Sequence, residues 1–132
     1  MYTMKQVCKE TNMTYQALKY YCNEGLIPNV KRDDNNHRVF DDRDLKWIKD
    51  LVCLKKCGMS IQEMKIYLDL CLQGQSTIPQ RKEMLAQKRE ALLASIKELQ
   101  DCVDYVDWKQ GFYDDVLSGK RPYVSNLIRV EE

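Results

Sequence analysis

The sequence predicts a mostly α-helical chain that ends in one long coiled-coil helix. The first observation is a heptad pattern, in which one set of residues recurs every seven positions at Leu85, Leu92, Leu99, Val106 and Tyr113. A second set, also seven apart, lies between them at Arg89, Ile96, Val103 and Gln110. This 3,4 alternation over four heptads is typical of a coiled-coil seam. The second observation is that short apolar-periodic segments, each preceded by a capping residue, occupy the first 75 positions.

The long helix is expected to run from about Pro79 to Ser118. At 1.5 Å per residue it would be a rod of roughly 60 Å, which the rest of a 132-residue chain cannot cover. We therefore expect a homodimer, with the dimer contact formed by Leu85, Leu92, Ile96, Leu99, Val103, Val106 and Tyr113. The alternative is a helix that folds back on its own chain, but the seam fits heptads better than a 3.6-residue period.

Two short helices are predicted at the N-terminus. Thr3 can cap the first, which ends at Thr11 and Asn12, and Thr14 can cap the second, from Tyr15 to Asn23. Gly25 suits the left-handed residue that stops a helix. Two short helices separated by a tight turn have the outline of a helix-turn-helix.

A β-hairpin is predicted next. Two short extended runs, at residues 29–32 and 37–40, flank a cluster of Asp and Asn at residues 33–36. Asn35 and Asn36 tolerate a positive φ better than most residues. A hairpin that follows a helix-turn-helix is a wing, so the head is predicted to be a winged helix-turn-helix.

Two further helices are predicted to connect the wing to the rod. One starts at Asp41 or Asp42 and carries a core stripe of Leu45, Ile48 and Val52. For the other, Ser60 and Glu63 form a capping box. The predicted domains are a head with two connecting helices at 1–75, a coiled-coil helix at 76–118 and a tail at 119–132.

Composition limits the functions that are open to the chain. One histidine and no phosphate-binding loop leave no catalytic set, so we predict that the chain is not an enzyme. The six cysteines form no C-x-x-C pair, so we expect no metal site and no cofactor. No signal peptide or long apolar run is present, which favours a cytoplasmic location without a membrane. The net charge of +1 means that DNA binding must depend on a local arrangement.

The order of these parts resembles MerR-type transcriptional regulators over nearly the whole chain. The matching segments are Ala17–Tyr21, Glu24–Pro28, Arg32–Asp33 with Arg38–Phe40, Asp44–Leu45 and Gly58–Ile61, followed by the long helix. The segments from Cys53 to Ile61 and from Gly74 to Arg81 are similar to the aldehyde-responsive, single-cysteine branch of this family.

The resemblance implies a dimeric DNA-binding regulator. Such proteins bind pseudo-palindromic promoters in double-stranded DNA and, in response to a signal, distort the promoter spacer so that RNA polymerase can use it. The resemblance also implies that the long helices pair antiparallel. The heptads alone, with Ile and Val alternating with Leu, favour a parallel pair.

The predicted DNA-binding residues lie on the second helix and the wing. Spacing exposes Thr14, Tyr15, Gln16 and Lys19 toward the major groove, and the resemblance assigns phosphate contacts to Tyr20 and Tyr21, for which core packing is the alternative. The wing contributes Lys31, Arg32, His37 and Arg38, of which Arg38 matches the wing arginine of the family. Lys19 stands where the family usually has arginine, so a forked contact becomes a point-charge contact.

Cys53 is the predicted sensor thiol, and Cys57 is a second candidate. Cys53 shares a helix face with Lys46, Lys49 and Lys56, whose ammonium groups favour the nucleophilic thiolate. The alternative is a small packing residue, as free cysteines usually are. The signal would be a reactive aldehyde or a thiol oxidant.

Two other interpretations stay open at this point. A metal-responsive regulator of the same fold would need paired cysteines near the end of the long helix, where the chain has only Cys102. A coiled-coil adaptor would bind no DNA and would need no basic hairpin. Tyr105, Trp108 and Phe112 lie off the seam as either interface packing or the wall of an effector pocket.

Overall fold

The computed structural model describes residues 1–130, which form five α-helices and a small sheet. In chain order the elements are β1 (Tyr2–Thr3), α1 (Met4–Thr11), α2 (Tyr15–Asn23), β2 (Lys31–Arg32), β3 (Arg38–Phe40), α3 (Asp42–Lys56), α4 (Ile61–Leu72) and α5 (Ile78–Leu117), with a 3₁₀ turn at Gln75–Thr77 before α5. The mostly helical fold with a winged head and a long C-terminal helix is therefore confirmed. Among the described residues, no helix is apolar over a length that could span a bilayer.

Local capping sets the helix boundaries where the sequence placed them. The Thr3 hydroxyl accepts from the Gln6 amide at 3.2 Å, and the Gln6 side chain accepts from the Thr3 amide at 2.8 Å. Ser60 and Glu63 form the same reciprocal box at the start of α4. Each box satisfies two backbone donors that a helix start otherwise leaves free. Gly25 has the positive φ that was predicted after α2, and Asn12, where α1 ends, also has positive φ.

The sheet has three antiparallel strands in the order β1-β3-β2. The predicted hairpin pairs Lys31 with Val39 and Arg32 with Arg38. Strand β1, which the sequence did not predict, pairs Tyr2 with Phe40 on the other side of β3. Two residues are too short to show any alternation, so only the partner strand reveals them as a strand.

The core of the head lies between α1, α2, the sheet, α3 and α4. Its fully buried side chains are Val7, Leu18, Leu26, Phe40, Ile48, Leu51 and Met64. The stripe predicted for α3 is correct at Leu45 and Ile48, but it continues through Leu51 and Leu54, and Val52 is only half-buried. Trp47 Nε1 donates to the Leu26 carbonyl at 2.7 Å, which joins α3 to the loop after α2.

The first part of α5 is attached to α4 by a polar latch. Arg81 donates from Nη2 to the Gly74 carbonyl at 2.6 Å and from Nε to Thr77 Oγ1 at 3.1 Å. Lys88 pairs with Glu63 at 2.7 Å and donates to the Gly58 carbonyl at 3.5 Å. The chain divides into one compact unit at Met1–Glu90 and a second that begins at Ala91. The latch belongs to the first unit.

Candidate nucleic-acid interface

Helix α2 presents one polar edge and buries the other. The Thr14 hydroxyl accepts from the Ala17 amide at 3.1 Å, and this cap starts the helix with Tyr15, Gln16 and Lys19 on the exposed side. Leu18 is completely buried on the other side. The exposed edge therefore contains four of the side chains that the sequence assigned to the major groove, Thr14 among them.

The two tyrosines of α2 differ in their surroundings. Tyr20 is 48% exposed, so its ring and hydroxyl are accessible. Tyr21 is 6% exposed, and burial raises the pKa of its hydroxyl. Core packing, the alternative interpretation, is therefore correct for the Tyr21 ring. A phosphate contact stays a prediction for both tyrosines, and for Tyr21 only the hydroxyl could make it.

The turn of the wing is braced by the side chain of Asp33. Its Oδ1 accepts from the backbone amides of Asn35 at 3.0 Å and His37 at 2.9 Å. Asn36 has φ 62°, which its short polar side chain tolerates. Arg32 Nη1 donates to the Asn36 carbonyl at 2.8 Å, so the guanidinium lies across the turn. Arg32 has five N–H donors, which leaves others for a second acceptor.

Arg38 connects the wing to helix α2. Its Nη2 donates to Asn23 Oδ1 at 2.8 Å, and Asn23 is the last residue of α2. The contact joins β3 to α2 across 15 positions of the sequence. A side chain held at one end has less conformational entropy to lose when its free donors bind another group. This hydrogen bond thereby ties the wing to α2.

A cleft of about 270 Å³ separates the wing from the start of α1 and α2. It brings together four of the predicted DNA-binding residues, namely Tyr15, Arg32, His37 and Arg38, and its other lining residues are Thr3, Met4, Lys5, Asp33, Asn36 and Val39. Lys5 was missed in the sequence, although it directly follows the start of α1, where backbone amides favour anions. Basic side chains around a groove are the arrangement that a phosphate backbone needs.

Lys31 lies outside this cleft. Its ammonium pairs with Asp41 at 2.9 Å and with Asp44 at 3.4 Å, and it donates to the Asn29 carbonyl at 2.9 Å. The hydrogen bond from Lys31 to Asp41 raises the pKa of the lysine. Backbone hydrogen bonding at the helix start, together with Lys31, lowers the pKa of Asp41 to about 2. Lys31 thus anchors the wing to α3, and its predicted contact with DNA stays a prediction.

The cysteines occupy two kinds of environment. Cys53 is exposed and Cys57 is half-buried, while Lys46, Lys49 and Lys56 are exposed on the same helix. Cys8 and Cys22 pack against the core, and burial raises the pKa of both thiols. Cys71 Sγ accepts from Arg81 Nη1 at 3.9 Å, so this thiol is part of the latch between α4 and α5. Within residues 1–130 no group of three or more metal-binding side chains occurs.

The seam of α5 is open to solvent. Its members are all exposed, from 39% at Leu92 to 67% at Leu99, and the set is Leu85, Leu92, Ile96, Leu99, Val103, Val106 and Tyr113. No residue of α5 is buried. The seam is therefore not covered within the described chain, which argues against a helix that folds back on itself.

Comparison with known proteins identifies the family to which this head belongs. Residues 2–71, which include α1, α2 and the wing, match the family described as MerR HTH family regulatory protein. The chain belongs to the MerR family. It is a DNA-binding transcriptional regulator of this family.

Several relatives extend this match beyond the head. A protein of Haemophilus influenzae, named as an uncharacterized HTH-type transcriptional regulator, is 33% identical over 99% of this chain and 97% of its own length. The HTH-type transcriptional regulator AdhR of Bacillus subtilis is 40% identical over 67% of this chain and 63% of its own length. Both are named as transcriptional regulators and not as enzymes.

Solved structures of MerR regulators have the same fold. HiNmlR, described as a MerR family regulator lacking the sensor domain and bound to promoter DNA, is 32% identical with a TM-score of 0.75. The alignment covers 89% of this chain and 93% of that one. A MerR regulator of Listeria monocytogenes described as putative is 29% identical with a TM-score of 0.79, over 91% of each chain.

Proposed function

We propose that this MerR-family chain binds a pseudo-palindromic promoter as a homodimer and distorts the spacer in response to an electrophilic signal, so that RNA polymerase can use the promoter. The observation that carries the proposal is the convergence of Tyr15, Arg32, His37 and Arg38 on one cleft. The promoter DNA bound by HiNmlR supports it, since that protein matches this chain over most of its length. A coiled-coil adaptor without DNA binding is not favoured, because it needs no basic cleft.

The homodimer follows from the open seam. Seven apolar or aromatic side chains at heptad spacing are exposed on α5, and a stripe of this kind is stable in water only when another surface covers it. Two helix-turn-helix heads related by a two-fold axis read two half-sites of a pseudo-palindrome. An antiparallel pair of α5 helices would hold the two heads apart and so define the half-site spacing. Bending the spacer costs on the order of several kcal/mol. The signal must therefore favour the protein conformation that binds the bent promoter.

The DNA contacts are tested by the salt dependence of operator binding for two single variants of the wing. Arg32→Ala should weaken binding and reduce the slope of log K against log salt by about one for each half-site, because each phosphate contact releases condensed counterions. Lys31→Met is the matched control, since it removes one positive charge from the same strand at a residue that pairs with Asp41 and Asp44 outside the cleft. It should leave the slope unchanged while it lowers affinity through a misplaced wing.

The measurement is a gel shift or fluorescence anisotropy titration on the upstream region of the gene at four salt concentrations. Equal slopes for native protein and the Arg32 variant would remove Arg32 from the interface. Binding no tighter than to random DNA of the same length would overturn the proposed pseudo-palindromic promoter site.

We propose Cys53 as the residue that receives the signal. Its thiol is exposed and shares a helix face with three exposed lysines, Lys46, Lys49 and Lys56. Cys8 and Cys22 are less accessible, because both thiols pack against the core of the head. Addition of the thiolate sulfur to an aldehyde carbonyl forms a C–S bond, and the carbonyl oxygen takes up a proton to give a hemithioacetal. A metal-responsive mechanism is not favoured, since Cys102 has no second cysteine after it.

Transcription from the bound promoter tests this assignment in vitro, with and without formaldehyde. Cys53→Ser should retain operator affinity and lose the response, whereas Cys22→Ser, which alters a thiol packed in the head, should retain both. Cys57→Ser separates the two candidate thiols. A Cys53→Ser protein that still responds would exclude Cys53 as the sensor.

A further inference from the structure

The wing carries the one histidine of the chain, His37. Its side chain is 77% exposed, and it lines the cleft beside Arg32 and Arg38. Its backbone amide donates to Asp33 Oδ1 at 2.9 Å, so the turn fixes the position of this residue. Histidine is the side chain whose charge ordinarily changes between pH 5 and pH 8. The cleft therefore contains a group whose charge depends on pH in the physiological range.

Charges of both signs surround His37 in the cleft. The other charged or titratable lining residues are Lys5, Tyr15, Arg32, Asp33 and Arg38. Asp33 is the single carboxylate among them, and its Oδ2 lies 3.7 Å from His37 Nδ1. This separation is an ion-pair distance when the imidazole is charged. The carboxylate therefore lies beside one ring nitrogen and leaves the other ring nitrogen for a different partner.

The protonated form of His37 can bind two acceptors at once. A charged imidazole has an N–H donor on each ring nitrogen, whereas a neutral imidazole has only one. With Nδ1–H directed at Asp33 Oδ2, the Nε2–H is left for a second acceptor. Only the charged ring can therefore connect Asp33 to a further anion.

DNA in the cleft would change the balance of charges at His37. In the free chain, Lys5, Arg32 and Arg38 disfavour another positive charge in the cleft. Phosphates pair with these cations and add negative charge beside the imidazole, so bound DNA favours the protonated ring. More of the protein should therefore carry a proton on His37 in the complex than in the free chain. By linkage, such a binding equilibrium depends on pH.

We propose that His37 binds a DNA phosphate in its protonated form, oriented by Asp33, so that promoter binding takes up a proton at each half-site. The proton comes from the solvent and is held on the imidazole. Its Nδ1–H then donates to the Asp33 carboxylate, and its Nε2–H donates to a phosphate oxygen. The proposal rests on DNA binding by the wing in the proposed function. It makes promoter affinity increase as the pH falls, independently of the signal at Cys53.

The pH dependence of DNA binding tests the proposal in the full-length chain. Fluorescence anisotropy on the upstream region of the gene gives Kd from pH 7.5 to pH 5.5 at 0.15 M salt. The native Kd should fall at least about tenfold over this range, because both half-sites favour the protonated histidine. His37→Gln keeps a neutral N–H donor and cannot be charged, so its Kd should change less than about twofold. A His37→Gln protein with the native pH dependence overturns the proposal.

A permanently charged variant gives the opposite limit. His37→Arg carries its charge throughout the range, so its Kd should also be nearly independent of pH. At pH 7.5 it should bind within about threefold of the native affinity at pH 5.5. An arginine variant that binds no tighter than His37→Gln would show that a positive charge at this position contributes nothing, which overturns the proposal.

A displaced histidine separates a phosphate contact from the general effect of charge on the wing. Asn35 is exposed in the same turn and is not among the residues that line the cleft. The turn uses its backbone amide, which donates to Asp33, so its side chain is free to change. Asn35→His/His37→Gln has as many histidines as the native chain and should keep the flat pH profile of His37→Gln. Recovery of the native pH dependence in this variant overturns the contact at His37.

Asp33→Asn tests the orienting role of the carboxylate. Asparagine keeps an oxygen for the amides of Asn35 and His37 and removes the charge beside Nδ1. The midpoint of the pH profile should move to lower pH, because loss of a neighbouring negative charge disfavours the protonated ring. Reduced repulsion of DNA changes Kd by the same factor at every pH and leaves the midpoint in place. An unchanged midpoint overturns Asp33 as the positioning residue.

Two further measurements are insensitive to a loss of wing stability. The native slope of log K against log salt should be steeper at pH 5.5 than at pH 7.5 by up to about 0.9 for each half-site, and the slopes of His37→Gln should be equal. Calorimetry at pH 6.5 in two buffers of different ionisation enthalpy counts the protons that binding takes up. Native binding without proton uptake overturns the role of His37 but not DNA binding. Binding no tighter than to random DNA overturns the promoter site itself.

Discussion

Helices α3 and α5 both carry an apolar stripe, but the stripe of α3 is buried and that of α5 is exposed. In α3, a 15-residue helix, Leu45, Ile48, Leu51 and Leu54 are all buried. In α5, a 40-residue helix, no side chain is buried, although leucine, isoleucine and valine recur along it. The head covers the stripe of α3 with α1, the sheet and α4. The stripe of α5 is not covered by any residue that the structure describes.

The largest predicted effect on this difference between α3 and α5 comes from placing charges in the seam of α5. Ile96→Asp/Leu99→Asp should raise the dimer Kd by at least about a hundredfold, because burying unpaired carboxylates costs several kcal/mol. Sedimentation equilibrium gives the constant, and near-native circular dichroism of the head shows that only assembly is affected. Leu93→Asp is the control, since Leu93 is 43% exposed on the same helix but lies off the seam. Equal effects at Leu93 and at the seam would refute the heptad assignment.

A substitution in the buried stripe of α3 tests whether the head is stable without the long helix. Ile48 is completely buried, so Ile48→Ala should reduce the free energy of unfolding of the head by about 2–5 kcal/mol. Leu99→Ala, at 67% exposure, should change it by no more than about 0.5 kcal/mol. Urea titration of the Trp108→Phe background follows this unfolding, because Trp47 is then the sole fluorescent indole. Similar losses for the two variants would mean that the head depends on the long helix for its stability.

The smallest predicted effect is on the pH dependence of stability, through the Asp41 carboxylate that pairs with Lys31 of the wing. Asp41 has its pKa lowered to about 2 in the folded chain, so its charged form is stabilised by folding. This contribution is fully present above the unfolded pKa near 3.8 and is lost as the pH falls toward 2. Urea midpoints between pH 4.5 and pH 2 should therefore fall less steeply in Asp41→Asn, which keeps the cap and removes the charge. Parallel curves for the two proteins would show that Asp41 is not held in this way.

Residues with local partners were predicted well from the sequence. Thr3, Thr14 and Ser60 each accept a hydrogen bond from the amide three positions later. The residues that define these helix starts are therefore close together in the sequence. The hairpin followed in the same way from the Asp and Asn cluster, of which only Asn36 adopts a positive φ. The exposed edge of α2 followed from helical spacing.

Residues with distant partners could not be assigned in this way. Lys31 and Arg38 are two basic residues of one hairpin. Lys31 pairs with Asp41 and Asp44 outside the cleft, whereas Arg38 lines the cleft and donates to Asn23. Tyr20 and Tyr21 are neighbours in the chain, and only the packing of α2 decides that one is exposed and the other buried. The latch formed by Arg81 with Gly74 and Thr77 had no signal in the spacing.

The amino-acid sequence by itself determined the winged head, the helix boundaries and the long heptad helix, because capping and periodicity are local properties of the chain. The tertiary structure decided which basic side chains share a cleft, which tyrosine enters the core and that the seam finds no cover within the described residues. Those outcomes depend on contacts between residues far apart in sequence, whose geometry no local pattern contains. The seam depends on both, since the heptads predict that α5 needs a partner and its exposure shows that no described residue covers it.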